Sequence, residues 1–115
     1  MNKRLVQVII FVMIVLLLVP LLATPALGAE LESGAQLFEA HCAGCHLNGG
    51  NIIRRGKNLK KRAMTKNGYT DIEAIAQLIT QGKGNMSAYG EKLTPEEIQA
   101  VSHYVLEQSQ MDWRH

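Results

Sequence analysis

The longest apolar run lies near the start of the chain. Lys3 and Arg4 precede a stretch from Val8 to Leu22 that only Pro20 interrupts. Ala26 and Gly28 then supply small residues at the −3 and −1 positions of a cut before Ala29. A basic start, an apolar middle and a small-residue end make up the layout of a secretory signal peptide. An uncleaved membrane anchor is the competing reading, because the run is close to the shortest that spans a bilayer. The expected organisation is a signal peptide over 1–28 and one domain over 29–115.

Within that domain, apolar residues recur at helical spacing. Ser33 can cap a first helix running to about His41, with Leu37 and Phe38 inward. The stretch from His46 to Asn58, rich in Gly and Asn, reads as loop. Asn58 can cap a short helix through Leu59, Ala63 and Met64, closed by Asn67-Gly68. Thr70-Asp71-Ile72-Glu73 reads as a capping box opening a helix that carries Ile72, Ile75, Leu78 and Ile79 and stops at Gly82. Thr94-Pro95-Glu96-Glu97 opens the last helix, with Ile98, Val101, Tyr104 and Val105 inward and an end near Gln108. No segment alternates as a strand, so the expected class is all-α.

The chain has 115 residues, enough for one small domain. Its formal charge of +2 is accounted for by Lys3 and Arg4, which leaves the domain formally neutral and argues against general nucleic-acid binding. Neutrality hides an asymmetry. Arg54, Arg55, Lys57, Lys60, Lys61, Arg62 and Lys66 fall in a stretch without a single acid. Such a run is either a docking patch for an acidic partner or a solvated face. A domain this small often needs a staple. Its only two cysteines stand two residues apart, where a disulfide would close a tiny loop. A covalent cofactor with apolar surface of its own would serve better.

Cys42-Ala43-Gly44-Cys45-His46 is C-x-x-C-H, the signature of c-type haem attachment. Two thiols at this spacing reach neighbouring vinyl groups, and the adjacent His falls beneath the iron. A thioredoxin-like site needs a βαβ context, and a structural zinc site needs four ligands; the chain offers neither pattern. Electron-transfer haems keep a second axial ligand. Met64 sits in the short helix and reads as core packing, and Met111 falls in the tail. Met86 sits in a flexible loop, Gly82 to Gly90, that can fold across the second haem face, so it is the expected partner of His46. His41 reads as solvent-facing, His103 lies on the last helix beside its buried face, and His115 is terminal, so none of them is expected on the iron.

These residues resemble the cytochrome c6 family over Ala29 to Trp113. The resemblance rests on Gly34-Ala35-Gln36-Leu37-Phe38, the C-x-x-C-H motif, Gly49-Gly50-Asn51, Lys57-Asn58-Leu59-Lys60-Lys61, Gly82-Lys83 before Met86, Tyr104-Val105-Leu106, Gln108-Ser109 and Trp113. It implies a class I cytochrome c fold, four to five helices around one covalent haem c with His46 and Met86 on iron. It also places Asn51 and Leu78 beside the cofactor and makes Lys57 and Lys83 partners of the haem propionates. The function implied is that of a monomeric electron carrier, not an enzyme, exported to the thylakoid lumen or periplasm. It would run between the cytochrome b6f complex and photosystem I.

Three departures resemble the cytochrome c6-like branch of lower redox potential. The ligand segment is Met86-Ser87-Ala88-Tyr89 where the family has Met-Pro-Ala-Phe. Leu78, eight residues before Met86, stands where the family has Gln. The loop after the motif carries Ile52-Ile53-Arg54-Arg55-Gly56. Two alternatives follow: a carrier serving a terminal oxidase, and a haem sensor or enzyme with a displaceable Met86.

Overall fold

The computed structural model describes residues 1–18 and 26–114, with side chains of the second helix described from Ser33 onward. Among the described residues the structure is all-helical, and the sole β feature is an isolated bridge between Lys83 and Met86. Helix α1, Lys3–Leu18, has 16 residues and buries none of them. At 1.5 Å rise it is about 24 Å long, short of the roughly 30 Å hydrocarbon core of a bilayer. No described helix is long and apolar enough to cross a membrane. The Pro20 break and Ala23 to Pro25, on the approach to the expected cleavage point, lie outside the described residues.

Five more α-helices lie among the described residues: α2 (Ala26–His41), α3 (Ala43–His46), α4 (Lys61–Lys66), α5 (Ile72–Gln81) and α6 (Pro95–Gln110). Helix α2 begins before Ser33, which was the expected cap. Ala26 to Glu32 consists mainly of good helix formers, so nothing in the sequence stops the helix short of it. Helix α5 is capped by Asp71, whose carboxylate accepts from Ala74 N at 2.8 Å, and not by Thr70. Asn58 likewise does not cap α4. Its amide accepts from Lys60 N at 3.0 Å and donates to Arg55 O at 2.7 Å, tightening the turn before the helix. The box at Thr94 and Glu97 forms in both directions, and α6 runs on to Gln110.

Helices α2 and α6 make the most extensive contact, and α5 packs on α6. Gly34 permits the first: a Cβ there would collide with the Ala100 carbonyl oxygen and press on Tyr104 Cβ at 3.0 Å. Phe38, Ile75, Ile79, Val101 and Val105 meet in one core. Each large apolar side chain buried there contributes about 1.5–3 kcal/mol.

The C-terminal tail closes this core instead of fraying. Trp113 is 7% exposed and donates from Nε1 to Leu59 O at 2.9 Å. Its ring lies 4.8 Å from Phe38 and 5.9 Å from Tyr104. These contacts hold Asp112 and Trp113 in left-handed backbone conformation at φ 51° and 58°, which costs free energy in non-glycine residues. The tail therefore fixes the start of α4, one wall of the cavity described next.

Candidate functional site

One cavity of about 310 Å³ opens between α3, the 51–59 loop, α4, α5 and the 83–89 segment. Its size falls in the range of small-molecule and cofactor sites. Cys42, Cys45, His46, Met86, Asn51, Lys57, Leu78 and Lys83, the eight residues singled out in the sequence, all line it.

Helix α3 sets the first wall. Cys45 N and His46 N both donate to Cys42 O, at 3.1 and 2.9 Å, winding the motif into one turn. Both cysteines are free, Cys45 exposed and Cys42 half-buried. Burial, with Cys45 nearby, pushes the Cys42 thiol up to about 11. The His46 ring is braced by Nδ1 against Gly50 O at 2.8 Å. With the proton on Nδ1, Nε2 keeps its lone pair for a metal, the usual arrangement of a ligating histidine.

The loop after α3 is held by two asparagines. Asn51 Oδ1 accepts from Ile53 N at 3.0 Å and Arg54 N at 2.7 Å, and its Nδ2 donates to Lys57 O at 3.1 Å. Asn51 thus lines the cavity with its polar atoms spent on the loop backbone. Asn67 donates to Gly56 O at 3.2 Å and Ala63 O at 2.8 Å, and accepts from Lys57 Nζ at 2.6 Å. The Lys57 ammonium therefore has a protein partner already. In the sequence Asn67 read only as the end of α4; an Asn before Gly at a helix end was the available signal.

Met86 is not on a slack loop. Gly82 ends α5 at φ 67°, a conformation that favours glycine. Lys83 N donates to Met86 O and Met86 N to Lys83 O, both at 3.0 Å, a tight two-residue reversal around Gly84-Asn85. Tyr89 N then donates to Ile79 O at 2.9 Å, and Gly90 N to Thr80 O at 3.1 Å. The Tyr89 hydroxyl donates to His41 O at 2.9 Å. Burial raises this phenol above its ordinary value. Met64, the second thioether in the cavity wall, is 4% exposed and belongs to the core; Met111 is absent from the lining. His41, although exposed, lines the cavity, as do Arg54 and Tyr69, which the sequence reading had not placed there.

Two free thiols, a braced imidazole and a thioether converge on one cavity whose walls include Phe38, Leu59, Ile75, Leu78 and Ile79. That donor set and that lining fit a covalently attached haem.

Five helices packed around such a cavity define a class I c-type cytochrome. The family described as cytochrome c oxidase, cbb3-type, subunit III matches residues 29–105. A cytochrome c6-like protein of Nostoc sp. is 52% identical over 99 residues, 86% of this chain and 89% of that protein. Cytochrome c6 of a Synechococcus species is 41% identical over 92 residues, 80% of this chain and 82% of the relative. The crystal structure of cytochrome c6C from Synechococcus sp. PCC 7002 is 83% identical, with a TM-score of 0.70 over 70% of this chain and 99% of that one. The chain belongs to the cytochrome c6 family. It is an electron carrier of the cytochrome c6 or c6-like type, not an enzyme, and the family implies covalent haem c.

Proposed function

We propose that residues 1–28 export the chain, and that residues 29–115 form a one-haem carrier moving electrons from the cytochrome b6f complex to photosystem I, or a related acceptor, in the thylakoid lumen. The observation that carries this reading is the His46 ring braced on Gly50 O at 2.8 Å, beside two free thiols in one cavity. Haem bound there would supply a one-electron couple at constant coordination. Cys42 and Cys45 would hold it through thioethers, with His46 and Met86 as its axial ligands. The apolar wall of Phe38, Leu59, Ile75 and Leu78 would keep water from the iron. Lys83 is exposed at the cavity margin and free to approach a propionate. Lys57 could do so only by exchanging its bond to Asn67.

The surface beside the cavity supports a partner of acidic character. Arg54, Arg55, Lys60, Lys61, Arg62 and Lys66 are exposed, and the one ion pair among the described residues, Arg114 with Asp112, involves none of them. Ile52 and Ile53, 70% and 56% exposed, offer apolar contact next to this charge. Charge of this kind steers encounter, so association should slow as salt rises.

Leu78 favours a second reading, a low-potential carrier that serves another acceptor such as a terminal oxidase. It lines the cavity with a hydrocarbon side chain that donates no hydrogen bond to the cofactor. A two-arm rapid-mixing experiment separates the readings. The oxidised holoprotein is mixed with reduced cytochrome b6f, and the reduced form is offered to flash-oxidised photosystem I. Turnover in both arms supports the shuttle. Donation to photosystem I with poor reduction by b6f supports the low-potential carrier, and silence in both arms contradicts the proposal.

A further inference from the structure

The segment from Lys83 to Leu93 carries Met86, and nearly all its backbone hydrogen bonds are local. Lys83 and Met86 bond to each other, Tyr89 and Gly90 bond back to α5, and Lys92 and Leu93 bond to Tyr89 O. Among the described residues, one hydrogen bond leaves this neighbourhood for the opposite flank of the cavity: Tyr89 OH to His41 O, 2.9 Å, across 48 positions of sequence. The acceptor is distinctive. His41 is the last residue of α2, where carbonyls lack intrahelical partners, and it immediately precedes Cys42. The phenol thus ties the Met86 segment to the residue next to the first cysteine.

We infer that Tyr89 is a positioning residue for Met86, its hydroxyl strapping the Met86 segment to the end of α2 and so holding the thioether in the cavity. This rests on Met86 being the second axial ligand. The bond is made while the segment is closed and is broken when the segment lifts. Its net worth is that of one hydrogen bond, about a fivefold bias toward the closed state. Tyr89→Phe isolates the hydroxyl, because a phenyl ring keeps the packing against the core and the approach of Lys92 Nζ, 5.2 Å from the ring centre.

Imidazole is a suitable probe, since it competes with the thioether for ferric iron. Its dissociation constant is measured on four ferric holoproteins: wild type, Tyr89→Phe, Met86→Ala and the double variant. The strap predicts that Tyr89→Phe keeps the long-wavelength Fe–S(Met) band yet binds imidazole about fivefold more tightly than wild type, as one hydrogen bond would require. With Met86 cut to Ala, the probe enters without lifting the segment, so the second substitution should change nothing. Equal affinities in wild type and Tyr89→Phe would overturn the inference. So would equal tightening in both backgrounds, which would make Tyr89 a plug instead of a strap. A Met86→Ala protein that keeps the band would remove the ligand assignment on which the strap depends.

Discussion

On the His46 side of the cavity, the restraining contacts are short in sequence. The motif winds on itself through Cys42 O, and the His46 ring leans on a carbonyl four positions away. On the Met86 side, a tight reversal orients the residue, and among the described residues the one hydrogen bond from the segment to the far flank joins Tyr89 to His41, 48 positions apart. A local wall forms with little loop closure and is expected to be stiff. A wall tethered over a long separation is the one expected to open first. The contrast suits the proposed carrier, in which one axial ligand would come from the C-x-x-C-H turn and the other from the Met86 segment.

The largest effect should come from the stiff wall. Cys42→Ala or Cys45→Ala should abolish or strongly reduce maturation, read as haem remaining with the protein after acid-acetone extraction. Haem that extracts fully from the wild type would contradict covalent attachment. Met64→Ala should come next, costing about 2–5 kcal/mol of stability through the cavity it leaves in the core, while the ferric Fe–S(Met) band survives. Loss of the band in Met64→Ala, with retention in Met86→Ala, would move the second ligand to α4.

Between these walls, Leu78→Gln should raise the midpoint potential by tens of millivolts with both axial ligands kept. A shift of about 59 mV is a tenfold change in a one-electron equilibrium. An amide donor directed at the haem would favour the reduced, less positive state. A drier apolar site works the other way, since it disfavours the extra positive charge of ferric iron. An unchanged or lowered midpoint in a redox titration at fixed pH and salt would remove Leu78 as the cause of a low potential. The smallest effect should come from a helix cap outside the cavity lining. Thr94→Ala breaks the α6 capping box and should cost about 1 kcal/mol, a drop in Tm of about 4–8 °C for a domain of this size, with the midpoint potential unmoved.

What could be read from the sequence follows the same division. Cys42 to His46 and Thr94 to Glu97 are contiguous, so spacing alone picked out the C-x-x-C-H turn and the α6 box. The apolar spacing of Ile75, Ile79, Val101 and Val105 located the core. Of the expected caps, Thr70 gives way to its neighbour Asp71, Asn58 spends its amide on the turn before α4, and Ser33 lies inside a helix that already begins at Ala26. Met86 does line the cavity, but its surroundings are not the flexible loop that the Gly-rich sequence suggests. The bonds that tighten them join Tyr89 to Ile79 and His41, and no periodicity displays such pairs. The same holds for Trp113 with Leu59 and for Asn67 with Lys57, so a helix end proved to be part of the cavity wall and the tail a brace behind Leu59.

The ferric spectrum of Met86→Ala holoprotein bears most directly on the site. The account predicts that haem stays covalently attached through Cys42 and Cys45, that the long-wavelength Fe–S(Met) band of the wild type disappears, and that added imidazole binds more tightly. A Met86→Ala protein whose band is undiminished would contradict it.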